Sequence, residues 1–517
     1  MKNAEKTVTI DRSEYESLIA NKSEVAELKQ LVEYYQHQLL QAKRRQFGTS
    51  SEKLNVDMGQ LNLFTEKPAV PAPVPETEEI HYTRKKQKGK RERDLFGLPV
   101  ERIDYELSET ERACSQCGQI MREMGVEVRK ELKLIPAKVV VVEHTTHTYA
   151  CRNCEQNGTK VPFAKGIAPT PLISGSLASP SLVAHIATQK YLSGMPIYRI
   201  ENGFRYDGVN ISRQTMTNWV IQCSERYLEG IYGLLRAHLL EETVIHGDGT
   251  VVQVLREPGR KPQTKSCEWV YRTGICAPRQ IAVYEYTETK SQEHPKRFLK
   301  GFRGLLHTDG ERGYHNLPEE ITVVGCWAHL RRKLEIILKN TPKDRWKDTL
   351  AGQGMAYISA LFSLEREFAE LPPEQRHQKR LEQSKPVADA FFAWAAGLSV
   401  LPKSPIGEAV GYALSQRKYL LNVFLDGRCE ISNNLAERTV KPFVMGRKAW
   451  LFSTSPAGAK ASSVIYSIIE TAKANSLHPF RYMRFLLETL PCAITSDLEA
   501  MLPWSGGLPD DLRVPVK

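Results

Sequence analysis

No part of this 517-residue chain stays apolar for long. Its apolar runs end after a few residues, as at Val139 to Val142, which leaves no segment able to cross a membrane. The opening stretch, MKNAEKTVTIDRSEYE, lacks the apolar centre of a secretory leader, and the expected location is the cytoplasm. Acidic residues are in deficit: 60 Asp and Glu against 71 Lys and Arg leave a net charge of +11, a balance that favours a polyanionic partner. No internal repeat is visible, which argues against a solenoid. Hydrophobic residues at 41% and charged residues at 25% exclude a wholly disordered chain. The length accommodates about three or four domains.

Cysteine is sparse at ten residues, yet four of them cluster as Cys114-x-x-Cys117 and Cys151-x-x-Cys154. Chance would supply only about 0.2 such motifs in a chain of this composition. In a reducing compartment a cluster of this kind points to metal, with a redox pair as the alternative. Lys130 to Ala150, between the knuckles, is rich in Val, Thr and Tyr and reads as β-strand. Two thiolate pairs flanking a hairpin describe a zinc ribbon over 106–165, with one structural Zn²⁺ held by Cys114, Cys117, Cys151 and Cys154. His144 and His147 read as strand residues.

Upstream, Leu18, Val25, Val32 and Leu39 recur every seven residues, and Asn21, Leu28, Tyr35 and Ala42 fill the second seam position. The pattern predicts a coiled-coil helix within 1–50 and self-association into a homodimer or higher oligomer, or else a helix packed on its own chain. Residues 51–105 read as a linker: Pro68, Pro71, Pro73 and Pro75 stiffen it, and a basic run from Arg84 to Arg93 follows. Residues 170–228 suggest a helix-turn-helix. Gly208-Val209-Asn210 supplies the turn and Ser212 caps a last helix from Arg213 to Val220. Arg213, Gln214 and Thr217, with Asn218, would face a DNA major groove, although many helical hairpins share this pattern.

From Val244 the patterning changes to strands: 244–246 with 251–255, then 268–272, 281–286, 305–307 and 321–325, with a polar helix before the fourth. Three strands, a helix and further strands give the order of an RNase H-like sheet, here over 240–455 with an all-helical insertion at about 340–425. Ser432 and Asn433 offer a helix N-cap. Residues 456–517 read as a C-terminal helical segment. The whole is a multidomain α+β chain.

Asp248 falls on the first strand and Asp309 at the end of the fourth, which are neighbours in such a sheet; Glu437 lies on a later helix. Adjacent carboxylates are unfavourable unless a cation joins them, and hard Mg²⁺ or Mn²⁺ ions suit carboxylate oxygens. Two such ions catalyse phosphodiester chemistry. Capping and salt-bridge roles are the plain alternative. Basic residues available for phosphate contact are Arg331, Arg332 and Lys333, then Arg438, Lys441, Arg447 and Lys448.

Taken in order, these stretches resemble the insertion-sequence-66 family of bacterial DDE transposases over nearly the whole chain. The resemblance is carried by Arg45-Gln46-Phe47-Gly48-Thr49-Ser50-Ser51-Glu52-Lys53, the two cysteine knuckles and His246-Gly247-Asp248-Gly249-Thr250. It continues through Thr308-Asp309-Gly310, Gly325-Cys326-Trp327-Ala328-His329, Asn433-Asn434-Leu435-Ala436-Glu437-Arg438 and Gly446-Arg447-Lys448-Ala449-Trp450. It implies a transposase acting in the bacterial cytoplasm on the nucleoid, one that binds element ends, cleaves DNA and transfers strands into a target. It also implies that Cys326 and His329 support the carboxylates or position DNA. Two departures stand out: Gly249 and Val251 where the family usually has Glu and Pro, and Ser432 where it often has Asp. A DNA-binding regulator without chemistry, or a nuclease without strand transfer, are the competing readings.

Overall fold

The computed structural model describes residues 163–514 except 315, 340, 495 and 496, together with 138–150 and the isolated positions 11–14, 17, 35, 100, 102, 119 and 156. The four ribbon cysteines and nearly all of the heptad seam lie outside the described residues.

A short antiparallel pair, β1 (Thr148–Ala150) with β2 (Phe163–Lys165), precedes the main body. The strand expected over 130–150 is therefore shorter where it is described. Val139 to Val142 are exposed and carry no strand assignment, so β-forming side chains alone do not hold a strand there.

Three helices follow: α1 (Pro180–Tyr191), α2 (Ile197–Tyr206) and α3 (Arg213–Cys223). The Ser179 hydroxyl accepts from Leu182 N and Pro180 stands at the first turn, a sequence-encoded start. Ser212 does the same for α3, accepting from Thr215 N. Between α2 and α3 the chain reverses through Gly208 at φ +78°, a conformation that glycine adopts without a Cβ clash. A single π-helical turn, Ser224–Leu228, leads into α4 (Glu229–Leu240).

The sheet has the order β5-β4-β3-β6-β7, from β3 (Val244–Gln253), β4 (Lys265–Thr273), β5 (Ala282–Thr287), β6 (Gly304–His307) and β7 (Ile321–Val324). The first three run antiparallel; β3, β6 and β7 are mutually parallel. A short α5 (Glu293–Phe298) makes the crossover from β5 to β6. The first and fourth strands of the sheet are thus hydrogen-bonded neighbours, as expected.

After β7 the chain is helical: α6 (Trp327–Leu338), α7 (Leu350–Glu367), α8 (Pro373–Lys379), α9 (Lys385–Ala396) and α10 (Pro405–Leu421). Leu330, Leu334, Ile358, Phe391, Phe392, Ala413 and Leu420 close a second core around Trp327, whose indole donates to Leu420 O at 3.0 Å. Arg380 is buried in this layer. It pairs with Glu365 at 2.6 Å and donates to the carbonyls of Asp426 and Cys429, which fixes the chain just before α11 (Asn434–Trp450).

The last helices, α12 (Pro456–Ala474) and α13 (Pro479–Thr489), are not an appendage. One continuous core runs from Leu172 to Leu512 and joins α1–α4, the sheet and α12–α13. The helices of 170–228 and the C-terminal helices share this core with the sheet. Serine and threonine on α12 complete the outer strand β5: Thr471 Oγ1 accepts from Ala282 N and donates to its carbonyl, and Ser467 accepts from Tyr284 N at 2.8 Å. At the opposite edge, Asn422 donates to Val323 O and Gly325 N donates to Tyr419 O.

Candidate functional site

Register brings the two aspartates together. His246 on β3 pairs with His307 on β6 in a parallel ladder, and their rings stack at 4.9 Å. Side chains two residues apart on a strand share a face. Asp248 follows His246 by two residues on β3, and Asp309 follows His307 by two, just past the end of β6, where its charge acts on Asp248. The effect on Asp248 is large: burial first, then the charge of Asp309, with a smaller part from Glu437, pushes its carboxyl up to about 7. A hydrogen bond from Gly249 N, at 2.7 Å, opposes the rise. Asp309 is held by Glu311 N, which donates to its Oδ1 at 3.0 Å, and by Tyr412, whose hydroxyl donates to its carbonyl.

Glu437 lies in the first turn of α11 and faces α6. Arg332 donates to its Oε2 at 3.1 Å, while its Oε1 lies 3.6 Å from His329 Nδ1. Both Oε1 and His329 Nδ1 are buried without a hydrogen-bond partner. Lys290 adds a positive charge near the aspartates through its pair with Glu311. The charges of Asp309 and, more weakly, Glu437 both act on Asp248, and Glu437 keeps one carboxylate oxygen without a hydrogen-bond partner.

Glu430, seven residues earlier, is engaged elsewhere. Its Oε2 lies 2.5 Å from His246 Nε2, and its Oε1 accepts from Ile275 N at 2.8 Å. Burial alone would raise its pKa, but His246 and the Ile275 amide outweigh it and hold the carboxyl down at about 2. Its carbonyl meets His307 Nε2 at 2.7 Å. His307, fully buried and beside His246, is lowered to about 3.

Asn433 occupies the N-cap of α11, but its side chain makes no cap bond, contrary to expectation. Its Oδ1 meets His246 Nδ1 at 2.9 Å and its Nδ2 donates to Gly247 O at 2.9 Å. Buried polar groups of β3 leave that amide no freedom to cap. Gly249, one of the departures from the family pattern, has a local explanation: a Cβ there would lie 3.0 Å from the Trp269 ring, which fills the space.

The expected phosphate-contacting residues divide into groups. Arg438, Lys441 and Lys448 are exposed along one face of α11. Arg447 turns inward and donates to Thr250 Oγ1 at 3.2 Å and to Val251 O, tying α11 to β3. Arg331 lies over Phe362 at 5.2 Å and Lys333 over Tyr412 at 4.9 Å. On α3, Arg213 and Gln214 are exposed, whereas the Thr217 hydroxyl donates back to Arg213 O at 2.7 Å. Cys326 is buried, and its sulfur accepts from Asn433 N at 3.1 Å.

The sequence pattern assigns no role to His246, His307 or Lys290, and to Asn433 only that of a helix cap. The two histidines were detectable, since each stands two residues before an aspartate on a predicted strand. Asn433 meets His246 across 187 positions, and no local pattern signals that contact.

Comparisons with known proteins point to transposases. Residues 175–461 match the family described as Transposase IS66 family. Residues 111–155 match the zinc-finger binding domain of transposase IS66, 34–103 match Transposase C of IS166 homeodomain, and 467–504 match the IS66 C-terminal element. The chain belongs to the IS66 transposase family. Relatives include the uncharacterized protein y4qI of Sinorhizobium fredii, 29% identical over 90% of this chain and 87% of its own length. The uncharacterized protein y4jD of the same organism is 28% identical over 80% of this chain and 82% of its own. Among the described residues, no helix is long and apolar enough to cross a membrane.

Proposed function

We propose that the chain is an active DDE transposase with an RNase H-like catalytic domain, in which Asp248, Asp309 and Glu437 cut the ends of an insertion sequence and join them to target DNA. The observation that supports this reading is the raised carboxyl of Asp248, on which the charges of Asp309 and Glu437 both act, just beyond the parallel His246–His307 pairing. The three carboxylates would hold Mg²⁺ or Mn²⁺, in two ions. When bound, such ions lower the cost of charge on the attacking and departing oxygens of a phosphodiester.

The chain's own residues do the rest. Asp248 and Asp309 would supply ligand oxygens for those ions from the strand pair. Glu437 completes the set once Arg332 releases it. Arg438, Lys441 and Lys448 hold the DNA backbone along α11, and Arg213 and Gln214 read element ends from α3. A water, and later a 3′-hydroxyl, is the nucleophile, so no side chain becomes joined to DNA. Cys114, Cys117, Cys151 and Cys154 would hold one structural Zn²⁺, and the heptad helix would bring copies together on paired ends.

The test is Asp248→Asn on labelled element ends. Binding should persist while cleavage and joining in Mg²⁺ are lost. Joining at wild-type rate by this variant overturns the assignment.

A further inference from the structure

The carboxylate of Glu437 belongs to a second ligand set of different chemistry. The Cys326 sulfur, a ring nitrogen of His329 and a carboxylate oxygen of Glu437 all lie within 4.8 Å of one another. Thiolate, imidazole and carboxylate together suit Zn²⁺, whereas Mg²⁺ takes oxygen. We infer that Cys326, His329 and Glu437 form a site for a thiophilic divalent ion, and that filling it withdraws Glu437 from Asp248 and Asp309 and stops the Mg²⁺ reaction. The second half of this inference rests on Glu437 being the third catalytic carboxylate; the first half does not.

One feature favours an ion here over simple packing. His329 Nδ1 and Glu437 Oε1 face each other at 3.6 Å, both buried and both without a hydrogen-bond partner. Such atoms are costly unless something satisfies them. The sulfur sits at the start of α6 and receives Asn433 N; burial pushes its thiol up to about 11 against the amides of Asn433, His329 and Ala328, so the thiolate forms there only with a cation beside it. Unfilled, the site is closed by Arg332, which donates to Glu437 Oε2 and whose Nη1 lies 3.3 Å from His329 Nε2. With Nε2 accepting from Arg332, the neutral ring carries its proton on Nδ1.

The proton balance then defines what binding requires. Cys326 gives up its thiol proton to solvent. The ring proton of His329 moves from Nδ1 to Nε2, which frees Nδ1 as a ligand. Nε2 becomes a donor and can no longer accept from Arg332, so the guanidinium must leave His329. Arg332 is half exposed. The ion and the Arg332–His329 contact are therefore mutually exclusive.

The experiment uses the full chain with its zinc-ribbon metal retained, and Co²⁺ as the spectroscopic probe. Wild type should bind Co²⁺ beyond the ribbon content, with a thiolate-to-cobalt charge-transfer band. Cys326→Ser and His329→Asn should lose that band, with Co²⁺ affinity at least roughly tenfold weaker. Asp248→Asn should keep it. His329 is partly exposed, so His329→Asn decides the matter if Cys326→Ser does not fold. No added band in wild type, or a band that survives in folded His329→Asn, overturns the site. In parallel, Zn²⁺ added to a Mg²⁺ joining reaction should suppress it. A bound ion that leaves joining unaffected overturns the withdrawal of Glu437. Wild type that never joins ends in Mg²⁺ strikes the transposase reading and leaves the Co²⁺ result standing.

Discussion

Glu430 and Glu437 are seven residues apart in different surroundings, and Glu430→Gln against Glu437→Gln separates the roles proposed for them. The Glu430 carboxyl is held at about 2 against an ordinary 4.5, a depression of about 2.5 units, or roughly 3 kcal/mol for the ionised form. Removing one partner of a buried pair costs a similar roughly 3–5 kcal/mol. Glu430→Gln should therefore destabilise the main body by about 3 kcal/mol in urea unfolding at pH 7. The sign follows from the depressed value: this contribution is complete above 4.5 and disappears as pH falls through about 2. The gap between wild type and variant should narrow over that window. Glu437, paired with a half-exposed Arg332 and set among like charges, should cost at most about 1 kcal/mol on conversion to Gln. On pre-cut element ends the order reverses: Glu437→Gln loses joining, while Glu430→Gln keeps it at temperatures where it is folded. The reasoning is refuted if folded Glu430→Gln abolishes joining and Glu437→Gln does not, or if Glu430→Gln unfolds like wild type at pH 7.

Three further outcomes are expected. Without divalent metal, Asp248→Asn should be more stable than wild type at pH 8: a carboxyl raised to about 7 favours the fold fully below 3.8 and loses that contribution as pH rises through 7, so the variant's advantage should vanish near pH 4 in thermal melts. Arg447→Met should lower stability by about 1–2 kcal/mol, since it deletes the charge-assisted tie from α11 to Thr250 and Val251, and calorimetry of the variant checks this. Elemental analysis should find about one zinc per chain, and Cys114→Ser should lose it; unchanged zinc and stability in that variant would refute the ribbon.

Much of the sheet could be read from the sequence because its strands announce themselves locally. The expectation that Asp248 and Asp309 lie together rests on strand order alone. The helix start at Ser212 is equally local, needing only a hydroxyl and the next turn. Asn433 shows where this reading stops. Its composition fits a cap, and its position fits a cap, but the fold brings the buried His246 and Gly247 O to it, and those claims prevail. Arg447 fails in the same way. A basic residue in a basic run reads as a phosphate contact until the fold sets β3 carbonyls within its reach. The single core from Leu172 to Leu512 was hidden for a related reason, since amphipathic helices state that they pack without stating against what.

The closure of the sheet at both sides has a consequence for behaviour in a crowd. An open outer strand is a template on which another chain can add, and a protein gathered in several copies on one DNA would present such templates at high local concentration. Here the outer strands are claimed from within: hydroxyls of Ser467 and Thr471 occupy β5, and Asn422 and Tyr419 occupy the far side of β7. Replacing Ser467 and Thr471 with alanine would do more than loosen a helix, because it would leave the amides of Ala282 and Tyr284 on the outer strand without the hydroxyls they donate to.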